Sequence, residues 1–115
     1  MEKKIIVSYD ASKGNLILSD HGTTNAGKSD QIHWRPGEGV TSIMVAWAKT
    51  NSPTPTNMFW SKVPHPNGIN FKGIINSNLE DGKVWDWDYN IVCNVGSGDT
   101  PDYKYIDPRI QVDSR

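Results

Sequence analysis

The stretch Val84–Val95, VWDWDYNIVCNV, decides how this chain folds. Side chains alternate between the two faces of a strand, so residues of equal parity share a face. The odd positions carry Trp85, Trp87, Tyr89, Ile91, Cys93 and Val95, and the even positions carry Val84, Asp86, Asp88, Asn90, Val92 and Asn94. The odd face is apolar over the whole length and runs from large rings into small aliphatic groups. A platform for an aromatic-stacking ligand has no use for Ile91, Cys93 and Val95. The inner face of a sandwich needs such a continuous apolar wall. The row therefore reads as core; Trp85, at its rim beside the turn LEDGK, is the ring for which partial exposure is the alternative to burial.

Outward from this strand, the same alternation recurs in short runs. Strands are expected at Lys3–Tyr9, Asn15–Ser19, Asp30–Arg35, Val40–Lys49, Asn57–Val63, Asn70–Asn76, Lys83–Val95 and Tyr103–Val112. Polar segments rich in turn residues separate them, among them Asp20–Lys28 and Thr50–Thr56. No window shows an apolar pattern at helical spacing. Short strands with turn signals about every 8–12 residues give an all-β fold, a single Greek-key sandwich of seven or eight strands over residues 1–115. The expected core is Ile5 or Ile6, Leu16 or Ile17, Ile32, Trp34, Val45, Trp47, Trp87, Tyr89, Ile91, Cys93, Ile110 and Val112. Both faces of Val40–Lys49 are apolar, which marks a central strand. Pro108 interrupts the last strand and implies a bulge or an edge position. Lys49, Lys62 and Lys72 read as charges that guard strand edges.

Composition excludes several functions. Twelve basic residues face thirteen acidic ones, a formal net charge of −1, so no overall field draws the chain to nucleic acid or an anionic membrane. The one cysteine, Cys93, excludes an intrachain disulfide. MEKKIIVSYD lacks the apolar segment of a signal peptide, and no apolar run approaches the ~20 residues of a membrane helix, so a cytoplasmic location is the default expectation.

No cofactor is expected. The histidines His21, His33 and His65 fit no zinc spacing. A blue-copper site needs a second His, and usually a Met, shortly after its Cys, and neither follows Cys93. Oxygen donors gather in two turns, Glu80 and Asp81 in LEDG and Asp99 and Asp102 in GSGDTPD. Asp99 and Asp102 are weak calcium candidates, since Asp and Gly are also ordinary turn residues. No GxSxG or phosphate-binding Gly-rich motif occurs. The chain is therefore expected not to be an enzyme.

Two further stretches carry a resemblance. SDHGTTNAGKSDQIHW is a polar loop followed by D-x-I-x-W, and YKYIDPRIQV ends the chain with D-P-x-I-x-V. Together they resemble small uncharacterised bacterial proteins with an immunoglobulin-like or cupredoxin-like β-sandwich. The resemblance implies the fold and brings no activity with it.

The leading functional expectation is a non-enzymatic binding module with recognition loops at Asp20–Lys28, Thr50–Thr56 and Pro64–Gly68. A second is carbohydrate binding by exposed rings, with Trp60, Trp85 and His65 as candidate contacts. A third is a small hydrolase using Asp86 and Asp88, two residues apart on one strand face. Strand rise sets their Cα atoms roughly 6.5–7 Å apart, within the about 5–9.5 Å of glycosidase pairs. The expected partner is a protein or a carbohydrate.

Overall fold

The computed structural model describes residues 1–47, 59, 64–97 and 99–113. Ten strands lie among them: β1 (Glu2–Asp10), β2 (Asn15–Leu18), β3 (Thr23–Ala26), β4 (Gln31–Pro36), β5 (Ser42–Trp47), β6 (His65–Asn67), β7 (Asn70–Ile74), β8 (Val84–Asn94), β9 (Tyr103–Ile106) and β10 (Arg109–Asp113). They form two sheets. The first runs β2-β1-β4-β7-β6; the second runs β3-β10-β8-β5, with β9 also paired to β8. β1 is parallel to β4, and β3 is parallel to β10.

The VWDWDY row is a core wall. Trp87, Tyr89, Ile91 and Cys93 are buried, while Asp86 and Asp88 lie on the outer face. The inward residues of β8 meet Ile110 and Val112 of β10 on one side and Ile43 and Val45 of β5 on the other, all buried. The first sheet supplies Ile5, Val7, Leu18, Ile32 and Trp34 to the same core. An aromatic cluster spans the gap. Trp87 stacks on Tyr89 with centroids 4.7 Å apart, and Phe59 meets Trp87 edge-on. Trp34 Nε1 donates to Tyr89 Oη at 3.0 Å, which ties the two sheets through a buried hydrogen bond. Tyr89→Phe removes the acceptor of that buried indole N–H, so chemical denaturation should show a loss of about 1–3 kcal/mol.

Several expectations are corrected. The described residues hold ten strands, not seven or eight. One addition, β3, lies in the segment expected as the loop Asp20–Lys28. Its sequence TTNA is polar, but Thr24 and Ala26 turn inward and are buried, and the Thr24 hydroxyl donates to the Asp20 carboxylate. A second, β6, carries Pro66, which an edge strand tolerates. In the second strand Leu18 is the fully buried residue; Leu16 packs at the core's margin and Ile17 is half exposed. β5 is not central among the described residues, because it pairs only with β8 and leaves Met44 57% exposed. Lys72 guards no edge, since β7 lies between β4 and β6. The Trp47 side chain, the loop Thr50–Thr56 and all of the expected strand Asn57–Val63 except Phe59 lie outside the described residues.

The last strand contains no bulge. The pairing Asp88↔Arg109 on one side of Pro108 and Ile91↔Ile106 on the other belong to one unshifted register. Tyr89 N–H donates to Pro108 O at 3.1 Å, and proline has no N–H to return. β9 and β10 thus follow one another along β8 in continuous register, with a missing ladder bond at Pro108 between them.

One glycine is demanded by geometry. Gly39 has φ +78°, and a Cβ there would lie 2.8 Å from the Tyr9 carbonyl oxygen. Gly39→Ala therefore combines left-handed strain with a backbone clash, and thermal unfolding should register about 1–3 kcal/mol of destabilisation.

Candidate functional site

The outer face of the second sheet is divided by register into two regions. Asp88 opposes Arg109 and Asp86 opposes Gln111. Arg109 Nε donates to Asp88 Oδ1 at 2.6 Å and Nη2 to Asp88 Oδ2 at 3.3 Å, while Nη1 lies 3.6 Å from Asp86. Gln111 Nε2 donates to Asp86 Oδ1 at 3.0 Å. The hydrogen bond to Asp88, then the charges of Asp88 and Asp86, raise the Arg109 pKa further. The two carboxylates suggested as a catalytic pair share one guanidinium on an open sheet face. That arrangement supports a cross-strand clasp.

Farther along β8 the face becomes apolar. Met44, Val92 and Tyr105 lie in one line across β5, β8 and β9, and Ser42, Asn94 and Tyr103 form the next line. Tyr105 is 73% exposed and Tyr103 65%. Two residues apart on one strand, the tyrosines are held roughly 6.5–7 Å apart at Cα. Asn94 fixes the turn that leads into β9, because its Oδ1 accepts from both Gly96 N–H and Asp102 N–H.

β9 is also an open edge. Val95 N–H donates to Asp102 O, and Tyr89 N–H to Pro108 O. In an antiparallel ladder the bonded pairs alternate, so Lys104 and Ile106 turn their backbone groups toward β8. Tyr103, Tyr105 and Asp107 turn theirs outward. Among the described residues no strand takes those groups, because β3 covers only the β10 half.

Facing this edge across a groove is β2, whose own outer edge is likewise unpaired among the described residues. Gly14, Asn15, Leu16 and Tyr103–Ile106 enclose a cavity volume of about 440 Å³. The groove continues past Ile17 and Leu18 to Asp10, Lys13 and His21.

The residues nominated from sequence are not brought together. Trp60 lies outside the described residues. Trp85 is half-buried at the start of β8, with Lys83 Nζ 5.4 Å from its ring centroid and its Nε1 enclosed without an acceptor. His65 is exposed on β6 in the other sheet. Asp102 lies 3.8 Å from Lys104 Nζ, and Ser97 and Thr100 bond each other across the Asp99 turn. Among the described residues no three His, Cys, Asp or Glu side chains converge. Cys93 is buried, which pushes its thiol up to about 11 and keeps it protonated, so it makes a poor nucleophile. No helix among the described residues is long and apolar enough to cross a membrane.

Sequence reasoning missed Tyr103 and Tyr105. The signal was present in YKYI, where the rings share a parity opposite to Ile106. Parity alone did not reveal that their face is the outer one. Comparison with protein-family models and with curated proteins finds no match for this chain.

Proposed function

We propose that this chain is a non-enzymatic binding module that takes an extended, amphipathic peptide segment along β9. The observation that carries the reading is the coincidence of two features on one strand. Tyr103 and Tyr105 expose large rings, and the backbone groups of the same residues face an open edge. Strand addition uses such an edge for affinity and flanking side-chain pockets for specificity. Leu16 and Ile106 would receive alternate side chains of the segment, and the tyrosines would meet the others. Contact thus moves from the loops to a strand. The resemblance to immunoglobulin-like or cupredoxin-like sandwiches is compatible with a scaffold of this kind.

Selection from a random displayed peptide library tests the reading. Peptides rich in β-branched and aromatic residues should be recovered, and Tyr103→Ser/Tyr105→Ser should weaken them more than tenfold, as loss of aromatic anchors does. Selected peptides that bind the double variant as tightly as the parent would overturn it. Circular dichroism checks that this surface variant stays folded.

Carbohydrate binding is the second reading, favoured by the two exposed rings on one face. It expects a glycan-panel ligand whose affinity falls with Tyr103→Ser/Tyr105→Ser. Loss with Trp60→Ala alone would instead place the contact at Trp60.

A further inference from the structure

The topology gathers cationic side chains on the outer face of the first sheet. Register sets Lys4 of β1 opposite His33 of β4, His33 opposite Lys72 of β7, and Lys72 opposite His65 of β6. These four residues form one row across four strands. At the usual interstrand spacing the row spans about 14 Å. Arg35 lies two residues beyond His33 on the same face of β4 and is exposed. The carboxylate on this stretch of the face is Glu2, which lies 3.7 Å from Lys4 Nζ. Asp10, at the far end of β1, accepts from Ser12. Among the described residues Arg35, Lys72 and His65 have no ion-pair partner.

The fold itself does not require such a row. The chain as a whole carries a net charge of −1, yet Lys4, Arg35 and Lys72 collect on one sheet face beside Glu2. An anionic ligand laid across the strands would answer this local excess of positive charge.

We propose that this face docks a linear anionic polysaccharide. Charge complementarity supplies the attraction, and the row suits an extended chain better than a compact anion because the face is a sheet surface with no enclosed cradle. Gln31, Asn67 and Asn70 share the outer face with the row and offer amides to hydroxyl groups. Among the described residues the face presents no Trp, Tyr or Phe ring as a stacking platform for bases, which disfavours single-stranded nucleic acid. The groups around His33 are Lys4 and Glu2 from β1, Gln31 and Arg35 on its own strand, and Lys72 from β7; His65 faces Lys72.

Calorimetric titration of the full chain with a heparin-derived octasaccharide at low salt is the test. Binding is expected at low salt and at least tenfold weaker at high salt, as charge screening requires. Arg35→Gln/Lys72→Gln should reduce it at least tenfold. Tyr103→Ser/Tyr105→Ser, on the other sheet, should leave it unchanged. All are surface substitutions, and circular dichroism confirms the fold of each. Unaltered affinity in Arg35→Gln/Lys72→Gln overturns the proposal. So does equal or tighter binding of a single-stranded oligonucleotide or polyglutamate of matched charge, which would assign the face to a different polyanion.

Discussion

Trp87→Ala should lower the free energy of unfolding by about 4 kcal/mol, within the about 3–5 kcal/mol range for truncating a buried ring. Trp87 is 1% exposed. Its ring stacks on Tyr89 at an interplanar angle of 16°, and Phe59 approaches edge-on with centroids 4.7 Å apart. On the neighbouring strand it is paired with Ile110, which is fully buried. Alanine therefore removes apolar area from the centre of the aromatic cluster and leaves a cavity that strand backbones on both sides cannot close. Trp87→Phe keeps an aromatic face against Tyr89 and should recover about half of the loss. A domain has about 5–15 kcal/mol of stability in all, so the alanine variant stands near the limit of folding. Urea unfolding monitored by circular dichroism checks this. The midpoint should fall with an unchanged slope, since the extent of surface exposed on unfolding stays similar. A loss under about 1 kcal/mol would mean that the second sheet does not depend on this ring.

The reading of β8 from sequence succeeded because one strand face is buried for its whole length, and local alternation then records burial directly. Trp34 was legible for the same reason, through its shared parity with Ile32. β3 was not, because TTNA carries almost no apolar signal; its place depends on pairing with β10, about eighty-six residues away in sequence. The sequence of β5 was misread as central because Met44 and Ala46 are apolar. Their exposure follows from their place on the outer face of the second sheet, over which no described element packs, a fact of topology. The candidate surfaces failed to show for the same reason. Tyr103 and Tyr105 could be assigned to one face of a strand, but not to an open edge. Lys4, His33, Lys72 and His65 are widely scattered along the chain, and only the order β1-β4-β7-β6 lines them up. Alternation reports which side of a strand is buried; it does not report which strand is next to it.

Stability should fall in alkali, beginning near pH 9, because two buried acids resist ionisation. Burial raises the Cys93 thiol from 9.0 to about 11. Burial also raises the Tyr89 phenol above its ordinary value, partly offset by the Trp34 hydrogen bond. In the unfolded chain both groups lose their protons more readily. A group whose folded pKa is raised contributes its stability fully below the unfolded pKa and loses it as pH climbs toward the folded value. For Cys93 that window runs from 9.0 to about 11. The loss across it is about 2–3 kcal/mol, at about 1.4 kcal/mol per unit. Tyr89 titrates in the unfolded chain from a model value of 10.0 and so steepens the upper part of the fall. Cys93→Ala removes the first contribution while leaving the second. Urea midpoints measured from about pH 8 to about pH 10.5 should therefore fall less steeply in Cys93→Ala than in the parent, although the variant is less stable at neutral pH through lost packing. Parallel curves for the two proteins would show that the thiol is as accessible to base when folded as when unfolded, which contradicts its enclosure between β5 and β9. A Tyr89→Phe/Cys93→Ala double variant should be flatter still, and comparison with each single variant isolates the two ionisations, because their side chains lie on one face of β8 but four residues apart.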